Sequence, residues 1–341
     1  MKEPGCVILG IETSCDDTAA AVVLDGRKIL SNCVASQIEI HQRYGGVVPE
    51  IASRKHLENL PLVIEAALEQ AEIRFDDLSA VAVTYGPGLV GALLVGVSTA
   101  KALAYACGIP LIGINHLEGH IYANFLINPQ LTYPLIALVV SGGHTDLLYL
   151  SGPGSYRILG RTRDDAAGEA FDKVARVLGL GYPGGPQIEK LAVTGDPQAI
   201  PLPRARLSGN SLDFSFSGLK TAVLNFIQRQ KREGINWNPA DLAASFQAAI
   251  VEPLVDKTVK ALHQEGVKTL ILAGGVSANV WLREAFQNAD LPLGTQVYYP
   301  PLELCTDNAA MIAAAGYYRY QRGEISSWNL NAVPNLSLTA K

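Results

Sequence analysis

Two stretches of the chain show the same succession of apolar strands and polar turns. The first, VILGIETSCDDTAAAVVLDGRKILSNCVAS, has an apolar run from Val7 to Ile11, then a polar turn, a second strand and an Asp25-Gly26 hairpin turn. The second, LIALVVSGGHTDLLYLSGPGSYRILGRT, begins at Leu135 and repeats the order strand, glycine-rich turn, strand, turn, strand. A repeat with so long a period predicts two lobes of similar fold rather than a solenoid.

Helices and returning strands are predicted after each stretch. The returning strands are LSAVAVTYGPG and VKTLILAGGVSANV, and helical periodicity covers residues 50–72, 89–107, 166–178 and 216–232. This order predicts an α/β protein with an N-terminal lobe (1–132), a C-terminal lobe (133–304) and a last helix at about 305–325 that packs back on the first lobe. The arrangement resembles the actin, sugar-kinase and Hsp70 superfamily. That resemblance implies a nucleotide and metal cleft between duplicated lobes, and the glycine-rich strand ends suit phosphate because exposed backbone N–H groups bind anions.

Composition narrows the class of protein. With 48% hydrophobic and 17% charged residues, the chain of 341 residues is globular. Its apolar runs are shorter than a bilayer requires, so we expect no membrane association. Five scattered cysteines without a CxxC pair argue against a disulfide framework and predict a cytoplasmic protein. The net charge of −5 gives no overall attraction to nucleic acid, and no GxxxxGK[ST] signature of a P-loop enzyme occurs.

The stretch INHLEGHIYANF contains the most informative polar pattern. If it is helical, His116 and His120 lie one turn apart on the same face and can converge on a metal ion, although two histidines in an ordinary core would give the same spacing. A zinc protease would need HExxH, but Leu117 stands where that glutamate belongs. Glu118 would point about 200° away from His116 on a helix. The protease interpretation therefore fails on geometry.

A metal ion held by two imidazoles needs a further ligand. The best candidate is Asp307 in PPLELCTDNAAMIAAAG, where an alanine-rich helix begins. Aspartate is also a good helix N-cap, so a capping role for Asp307 stays open beside the ligand role.

Eight motifs, taken together, resemble one family over residues 7 to about 320. They are GIETSCDDT, TYGPGLVGALLVGVSTAKALA, NHLEGH, LVVSGGHT, GEAFDKVARVLGLGYPGGPQIEKLA, SFSGLKTAV, LAGGVSANVWLRE and TDNAAMIAAAG. The chain is thereby identified as similar to the tRNA adenosine threonylcarbamoyltransferases, a family once misannotated as a sialoglycoprotein endopeptidase. No motif position departs from the family pattern.

The resemblance implies a reaction and a set of partners. The family transfers a threonylcarbamoyl group from threonylcarbamoyl-AMP to the exocyclic amine of the adenosine 3′ of the anticodon, in tRNAs that read codons beginning with A. Another enzyme supplies the donor. The bacterial type works with a smaller inactive paralogue and a separate P-loop ATPase, and it holds one divalent metal, iron or else zinc, with an ATP- or AMP-type nucleotide.

The resemblance also assigns residues to the site. The metal ligands fall on His116, His120 and Asp307. The nucleotide and substrate contacts fall on Val139, Val140, Ser141, Gly142, Gly143, Asp172, Gly185 and Asn279. In this assignment Asp172 accepts hydrogen bonds from ribose, Gly185 allows close backbone approach and the Asn279 amide meets a base or sugar.

Acidic and basic side chains complete the sequence-based hypotheses. The donor is already activated, so no Ser-His-Asp nucleophile is required. Glu12 and Asp16, with Asp17 beside them, could accept the proton of the amine or orient it, although they could equally belong to a solvated turn. Phosphates of tRNA could meet clusters of basic residues, and the group near SGGHT is expected closest to the active site. The clusters are Arg43, Arg54 and Lys55; Arg157, Arg161 and Arg163; Arg204 and Arg206; and Arg229, Lys231 and Arg232.

Overall fold

The computed structural model describes residues 5–205 and 209–339. The chain divides into two compact units. The first unit comprises Met1–Leu131 together with Pro300–Lys341, and the second unit comprises Thr132–Tyr299. Residues 300–304, which the sequence suggested as the end of the C-terminal lobe, are thus grouped with the first unit.

Each unit contains a five-stranded mixed sheet. The strands in chain order are β1 (Val7–Glu12), β2 (Asp17–Leu24), β3 (Lys28–Ser36), β4 (Ala80–Gly86), β5 (Leu111–Asn115), β6 (Leu135–Val140), β7 (Thr145–Gly152), β8 (Ser155–Arg161), β9 (Thr269–Ala273) and β10 (Gln296–Tyr298). The sheet orders are β3-β2-β1-β4-β5 and β10-β9-β6-β7-β8. In both sheets the hairpin strands pair antiparallel, and the returning strand pairs parallel to the first. The predicted duplication is thus present in the topology.

Helices connect and cover the strands. They are α1 (Ile38–Gln42), α2 (Pro49–Ala71), α3 (Val90–Cys107), α4 (His116–Ile127), α5 (Ala167–Val177), α6 (Gly184–Ala192), α7 (Ser217–Glu233), α8 (Pro239–Glu265), α9 (Val280–Gln287), α10 (Leu302–Cys305) and α11 (Ala309–Gln321), with short 3₁₀ turns at Phe75–Asp77 and Gly275–Ala278. The four helices expected from periodicity are confirmed to within about two residues at each end, the usual uncertainty of helix termini.

The last long helix, α11, packs against β1, β2, β4 and α4 of the first unit. The contact is close because small residues face each other: a Cβ on Gly316 would lie 2.5 Å from Ala82 Cβ. Residues 309–316 are all buried, so the alanine-rich run contributes core contacts in this unit. Helix α11 therefore packs on the sheet that contains β1, the first strand of the chain.

Helix α3 departs from one expectation. It has 18 residues with a mean hydropathy of 1.6, so by length and composition alone this helix is long and apolar enough to cross a membrane. The expectation that every apolar run is too short was therefore wrong for this helix. One side of α3, including Leu93, Val97 and Ala100, is buried against the sheet and α2, as in the core helix of a globular unit.

Candidate metal centre and glycine-rich loop

The histidine pair lies where a buried strand turns directly into a helix. β5 ends at Asn115, whose side-chain Oδ1 accepts a hydrogen bond from the Leu117 backbone N–H at 2.9 Å and so caps α4. His116 and His120 follow one turn apart, with ring centroids separated by 4.6 Å. Both side chains are buried, so neither belongs to a solvated helix face.

Asp307 meets both imidazoles. Its Oδ1 lies 3.4 Å from His116 Nε2 and 3.3 Å from His120 Nε2. Three donors bound tetrahedrally to one ion at about 2.1 Å would be separated by about 3.4 Å, so these distances fit a shared metal. The approach of His120 Nε2 to Asp307 lacks the direction of a hydrogen bond, and both ring nitrogens of His120 are buried without a hydrogen-bond partner among the described residues. A metal ion bound between His120 Nε2 and Asp307 Oδ1 would give this nitrogen a partner.

Asn308, and not Asp307, caps the following helix. Asn308 Oδ1 accepts a hydrogen bond from Met311 N at 3.0 Å, and its Nδ2 donates to Thr306 O at 2.8 Å. The interpretation of Asp307 as the N-cap of α11 is therefore wrong by one residue. Because the neighbouring amide performs the capping, the Asp307 carboxylate is available to face the histidines.

Glu12 holds the first histidine from behind. The Glu12 side chain is fully buried, and its Oε2 accepts hydrogen bonds from His116 Nδ1 at 3.1 Å and from Thr84 Oγ1 at 2.5 Å. Its Oε1 accepts from Ser14 N at 2.6 Å. When His116 is neutral with its proton on Nδ1, its Nε2 lone pair can bind an ion held beside Asp307, the arrangement by which a carboxylate orients a metal-binding histidine. Both carboxylate oxygens are engaged inside the protein, so the geometry favours this orienting role over the proton acceptor predicted for Glu12.

The charges of the centre are unequal in the metal-free protein. Burial lowers the pKa of His116, but the carboxylates of Asp307 and Glu12 outweigh it and raise that pKa well above its usual value. The same imidazolium, acting against burial, lowers the pKa of Asp307 and of Glu12. Burial lowers the pKa of His120. Two carboxylates thus face one imidazolium and one neutral imidazole, and the excess negative charge favours a cation.

Two further acidic residues follow β1: Asp16 in the turn and Asp17 at the start of β2. Asp16 is largely buried, and its backbone carbonyl accepts a hydrogen bond from Gln37 N at 3.0 Å. Burial, together with the charge of Asp307, raises the pKa of Asp17 to about 7. His56 of α2 bonds the Cys15 carbonyl at 2.9 Å, which anchors the turn to the helix. The role of Asp16 in proton transfer stays a prediction.

Sequence reasoning did not identify the residues that support this centre. Thr84, Ser14 and His56 contact Glu12 or the turn, yet each is a common residue in an apolar or polar run. The usable signal is the sheet order: β1 and β4 run parallel, with Ile11 opposite Val83, so Glu12 and Thr84 must emerge at the same edge.

The SGGHT loop of the second unit follows β6. Val139 and Val140 are buried strand residues, and Ser141 N donates to His144 O at 2.8 Å to close the turn. A Cβ on Gly142 or on Gly143 would meet nothing within 4 Å, so both present exposed backbone to open space. This open space would admit the oxygen atoms of an anion close to the loop backbone.

Neighbouring segments of the second unit pack tightly on this loop. A Cβ on Gly168 would lie 2.5 Å from Ser141 O, so the start of α5 touches the loop backbone. Gly274 has a φ of 85°, and a Cβ at this position would lie 2.5 Å from Val140 O. The structure therefore brings the glycine-rich loop, α5 and the GGVSAN turn together.

The other assigned substrate contacts have mixed surroundings. Asp172 Oδ1 accepts a hydrogen bond from Gly184 N at 2.6 Å, and Gly184 is the tightly packed glycine, whereas Gly185 faces open space. The Asn279 amide is already used: Oδ1 accepts from Leu282 N and Nδ2 donates to Gln247, each at 2.9 Å. Close backbone packing thus belongs to residue 184, and the predicted ligand contact of Asn279 would have to share an engaged amide.

Many of the basic residues suggested for tRNA are paired with carboxylates. The pairs are Arg157–Glu265, Arg161–Asp146, Arg163–Asp213, Arg204–Glu252 and Lys55–Glu58, with N–O distances between 2.5 and 3.3 Å. Arg206 lies outside the described residues. In the described part of the chain, Arg229 and Lys231 of α7 have no carboxylate within salt-bridge distance, and Arg232 approaches only Glu233 at 3.9 Å.

The family model and the similar proteins that match this chain carry the same name. The sequence model of the family tRNA N6-adenosine threonylcarbamoyltransferase matches residues 28–314. Proteins of that name from Desulfitobacterium hafniense (strain Y51) and Symbiobacterium thermophilum are 61% and 62% identical to this chain over 331 and 332 residues, which is 97% of each partner in both alignments.

Solved structures confirm the fold class. HypF from T. kodakarensis aligns with a TM-score of 0.63 and 16% identity, over 96% of this chain and 50% of that chain. Component A of (R)-2-hydroxyglutaryl-CoA dehydratase from Acidaminococcus fermentans aligns with a TM-score of 0.53 and 16% identity, over 93% and 99%. The expected α/β fold of the actin, sugar-kinase and Hsp70 type is confirmed.

Proposed function

The chain belongs to the tRNA N6-adenosine threonylcarbamoyltransferase family, and from this premise we propose how its residues carry out the reaction. It is a transferase that places a threonylcarbamoyl group on an adenosine of tRNA. In our proposal the donor is threonylcarbamoyl-AMP, made by another enzyme. The acceptor is the adenosine 3′ of the anticodon in tRNAs that read codons beginning with A.

The observation that carries the proposal is the convergence of His116, His120 and Asp307. Their donor atoms lie within 4.8 Å of one another, and Glu12 orients the first imidazole. Two imidazoles and one carboxylate suit iron(II) and also suit zinc, and we propose iron as the resident ion. A divalent ion held there would supply Lewis-acid stabilisation of negative charge on the donor.

The chemistry asks little covalent work of the protein. The N6 amine attacks the carbonyl carbon of the mixed anhydride, the carbon–oxygen bond to phosphate breaks, AMP leaves and the nitrogen loses one proton. Positioning of the amine and stabilisation of the oxyanion are the main requirements. Asp16 and Asp17, in the segment that follows β1, are the candidate proton acceptors.

We assign the nucleotide portion of the donor to the SGGHT loop. Gly142 and Gly143 offer exposed backbone with space for phosphate oxygens. The start of α5 packs against the loop backbone, where Gly168 is in tight contact with Ser141, and this contact holds the loop in place. ATP or AMP would bind through the same backbone groups.

The exposed face of α7 is the surface that we propose for tRNA. It carries Lys220, Arg229, Lys231 and Arg232, and Glu233 at the last position is the one acidic residue of this helix. From Lys220 to Arg232 the helix rises by about 18 Å. Phosphate contacts are lost with rising salt, so replacing both Arg229 and Lys231 by Ala should lower tRNA affinity and reduce the salt slope by about 2. Arg163→Ala, which removes a residue already paired with Asp213, should change the slope less.

The partners and the compartment are also proposals. Val90 and Leu94 lie one turn apart on α3 and are both exposed, and this apolar surface supports pairing with a helical face of the smaller inactive paralogue. A separate P-loop ATPase would join that pair. Five free cysteines support a reducing cytoplasm.

One assay tests the proposed function. Purified protein is incubated with threonylcarbamoyl-AMP and unmodified tRNA, with and without the proposed partners, and the nucleosides are identified by mass spectrometry. We expect threonylcarbamoyladenosine from the wild type and none from His120→Ala, whose metal content should fall in parallel. Modified adenosine produced by a metal-free protein would refute the role of the metal centre.

A further inference from the structure

A buried ion pair joins the two segments that carry the metal ligands. Glu118 of α4 is fully buried, and its Oε2 lies 2.9 Å from Arg319 Nε and 2.8 Å from Arg319 Nη2. Arg319 belongs to α11, the helix that begins two residues after Asp307, and its Nη1 donates to Gly113 O of β5 at 3.3 Å. One guanidinium thus contacts α4 and the strand from which α4 emerges.

This pair lies away from the donor atoms. Glu118 is two residues after His116, so on a helix it points about 200° away from that imidazole. Its carboxylate accepts hydrogen bonds from a guanidinium that already neutralises it. Glu118 is therefore neither a ligand nor a general base, even though it stands between the two histidines in sequence.

Close packing fixes how near the two helices approach. A Cβ on Gly119 would lie 2.6 Å from Ile312 Cδ1 and 3.3 Å from Met311 Cγ, so α4 and α11 touch at this glycine. Apolar contacts of this kind set the separation of the two helices. A guanidinium bonded to Glu118 and to a strand carbonyl has a fixed geometry, and it resists sliding directly.

We propose that the Glu118–Arg319 pair is a positioning element that sets the register of α4 against α11, so that His116, His120 and Asp307 converge on one ion. The inference rests on the metal centre proposed above. Metal–ligand distances tolerate only about 0.2 Å, whereas one residue of helix register moves a side chain by about 1.5 Å. A small slide between these helices would therefore separate the ligands.

Two substitutions of Glu118 distinguish positioning from general stabilisation. Arg319 Nε and Nη2 both approach Glu118 Oε2, so Glu118→Gln can keep an oxygen at that place while losing the charge. Glu118→Asp keeps the charge but shortens the side chain by one methylene, so the bond survives only if α4 moves. Positioning predicts that Asp is the more damaging residue for metal binding, whereas simple charge stabilisation predicts that Gln is.

The test uses cobalt(II) as the probe metal on the full chain after chelation. The dissociation constant is measured by competition with a chelator, and the visible absorption spectrum reports coordination geometry. We expect Glu118→Asp and Arg319→Lys to weaken cobalt binding about 10- to 100-fold and to change the spectrum, with Glu118→Gln closer to wild type. The matched control is Arg204→Lys, which disturbs a two-bond pair with Glu252 in the second unit and should alter neither measurement.

Circular dichroism in chelator shows that each variant is folded before cobalt is added. Wild-type affinity and spectrum in both Glu118→Asp and Arg319→Lys would overturn the inference, and so would a loss confined to Glu118→Gln. If His120→Ala binds cobalt as the wild type does, the metal centre itself is wrong, and the positioning inference falls with it. The histidine variant therefore separates the two failures.

Discussion

Replacing Glu12 by Gln should weaken metal binding, although Glu12 touches no metal ligand other than His116. Glu12 Oε2 accepts hydrogen bonds from His116 Nδ1 and Thr84 Oγ1, and Oε1 accepts from Ser14 N. Glutamine has one oxygen and one NH₂ group for these two places. If the NH₂ takes the Oε2 place, it donates to His116 Nδ1 and moves the imidazole proton to Nε2. If it takes the Oε1 place, it opposes the Ser14 N–H.

The size of the effect follows from these two arrangements. A proton on Nε2 removes the lone pair that faces Asp307, and the loss of a second-layer carboxylate typically weakens metal affinity about 10- to 100-fold, or about 1.4–2.7 kcal/mol. The alternative leaves the Ser14 N–H buried and unpaired, which costs about 1–3 kcal/mol of stability. Thr84→Val is the matched control, because it removes one hydrogen bond from the same oxygen and keeps the carboxylate charge.

Metal competition titrations and melting curves in chelator measure the two terms separately. We expect Glu12→Gln to lose metal affinity or stability by these amounts, and Thr84→Val to lose less affinity. A Glu12→Gln protein with wild-type affinity and wild-type melting, but with a reduced transfer rate, would refute this reasoning. It would support instead the role of Glu12 as proton acceptor.

Three further predictions concern other parts of the two units. Because burial and the charge of Asp307 raise the pKa of Asp17 from 3.8 to about 7, the native state keeps a proton that the unfolded chain releases; wild-type stability should fall as pH rises between these values. Urea unfolding of metal-free Asp17→Asn should show a gain of up to about 4 kcal/mol at pH 8 that vanishes below about pH 4, and a gain independent of pH would contradict this cause. Gly142→Val should leave the melting temperature unchanged, because its Cβ meets open space, but should weaken AMP binding in calorimetry by filling the space proposed for phosphate. Gly168→Ala should melt at a lower temperature, because its Cβ would collide with Ser141 O. Unchanged AMP affinity in Gly142→Val would move the phosphate site elsewhere. Asn308→Ala should destabilise the protein by about 2 kcal/mol through the lost cap and amide bond, and wild-type melting would return the capping role to Asp307.

The sequence alone determined the elements and most of the chemistry. Apolar runs bounded by Asp-Gly and Gly-Pro-Gly turns specify hairpins, and the two repeats specify two sheets of one topology, because side-chain alternation and turn geometry act over a few residues. The spacing of His116 and His120 determined that both imidazoles share a helix face. Their convergence with Asp307 rested on motif order, since 187 positions of chain separate Asp307 from His120 and local periodicity says nothing about such a distance.

Only the tertiary structure decided which polar groups serve which purpose. It shows that Asn308 caps α11, that Glu12 holds His116, and that the Glu118 carboxylate meets Arg319. It also shows that Arg163 is paired with a carboxylate, whereas Arg229 has no such partner in the described part of the chain. These assignments depend on hydrogen-bond partners brought together from distant parts of the chain by sheet order and helix packing. A buried polar group takes the role that its nearest partners leave to it, and those partners exist only in the folded protein.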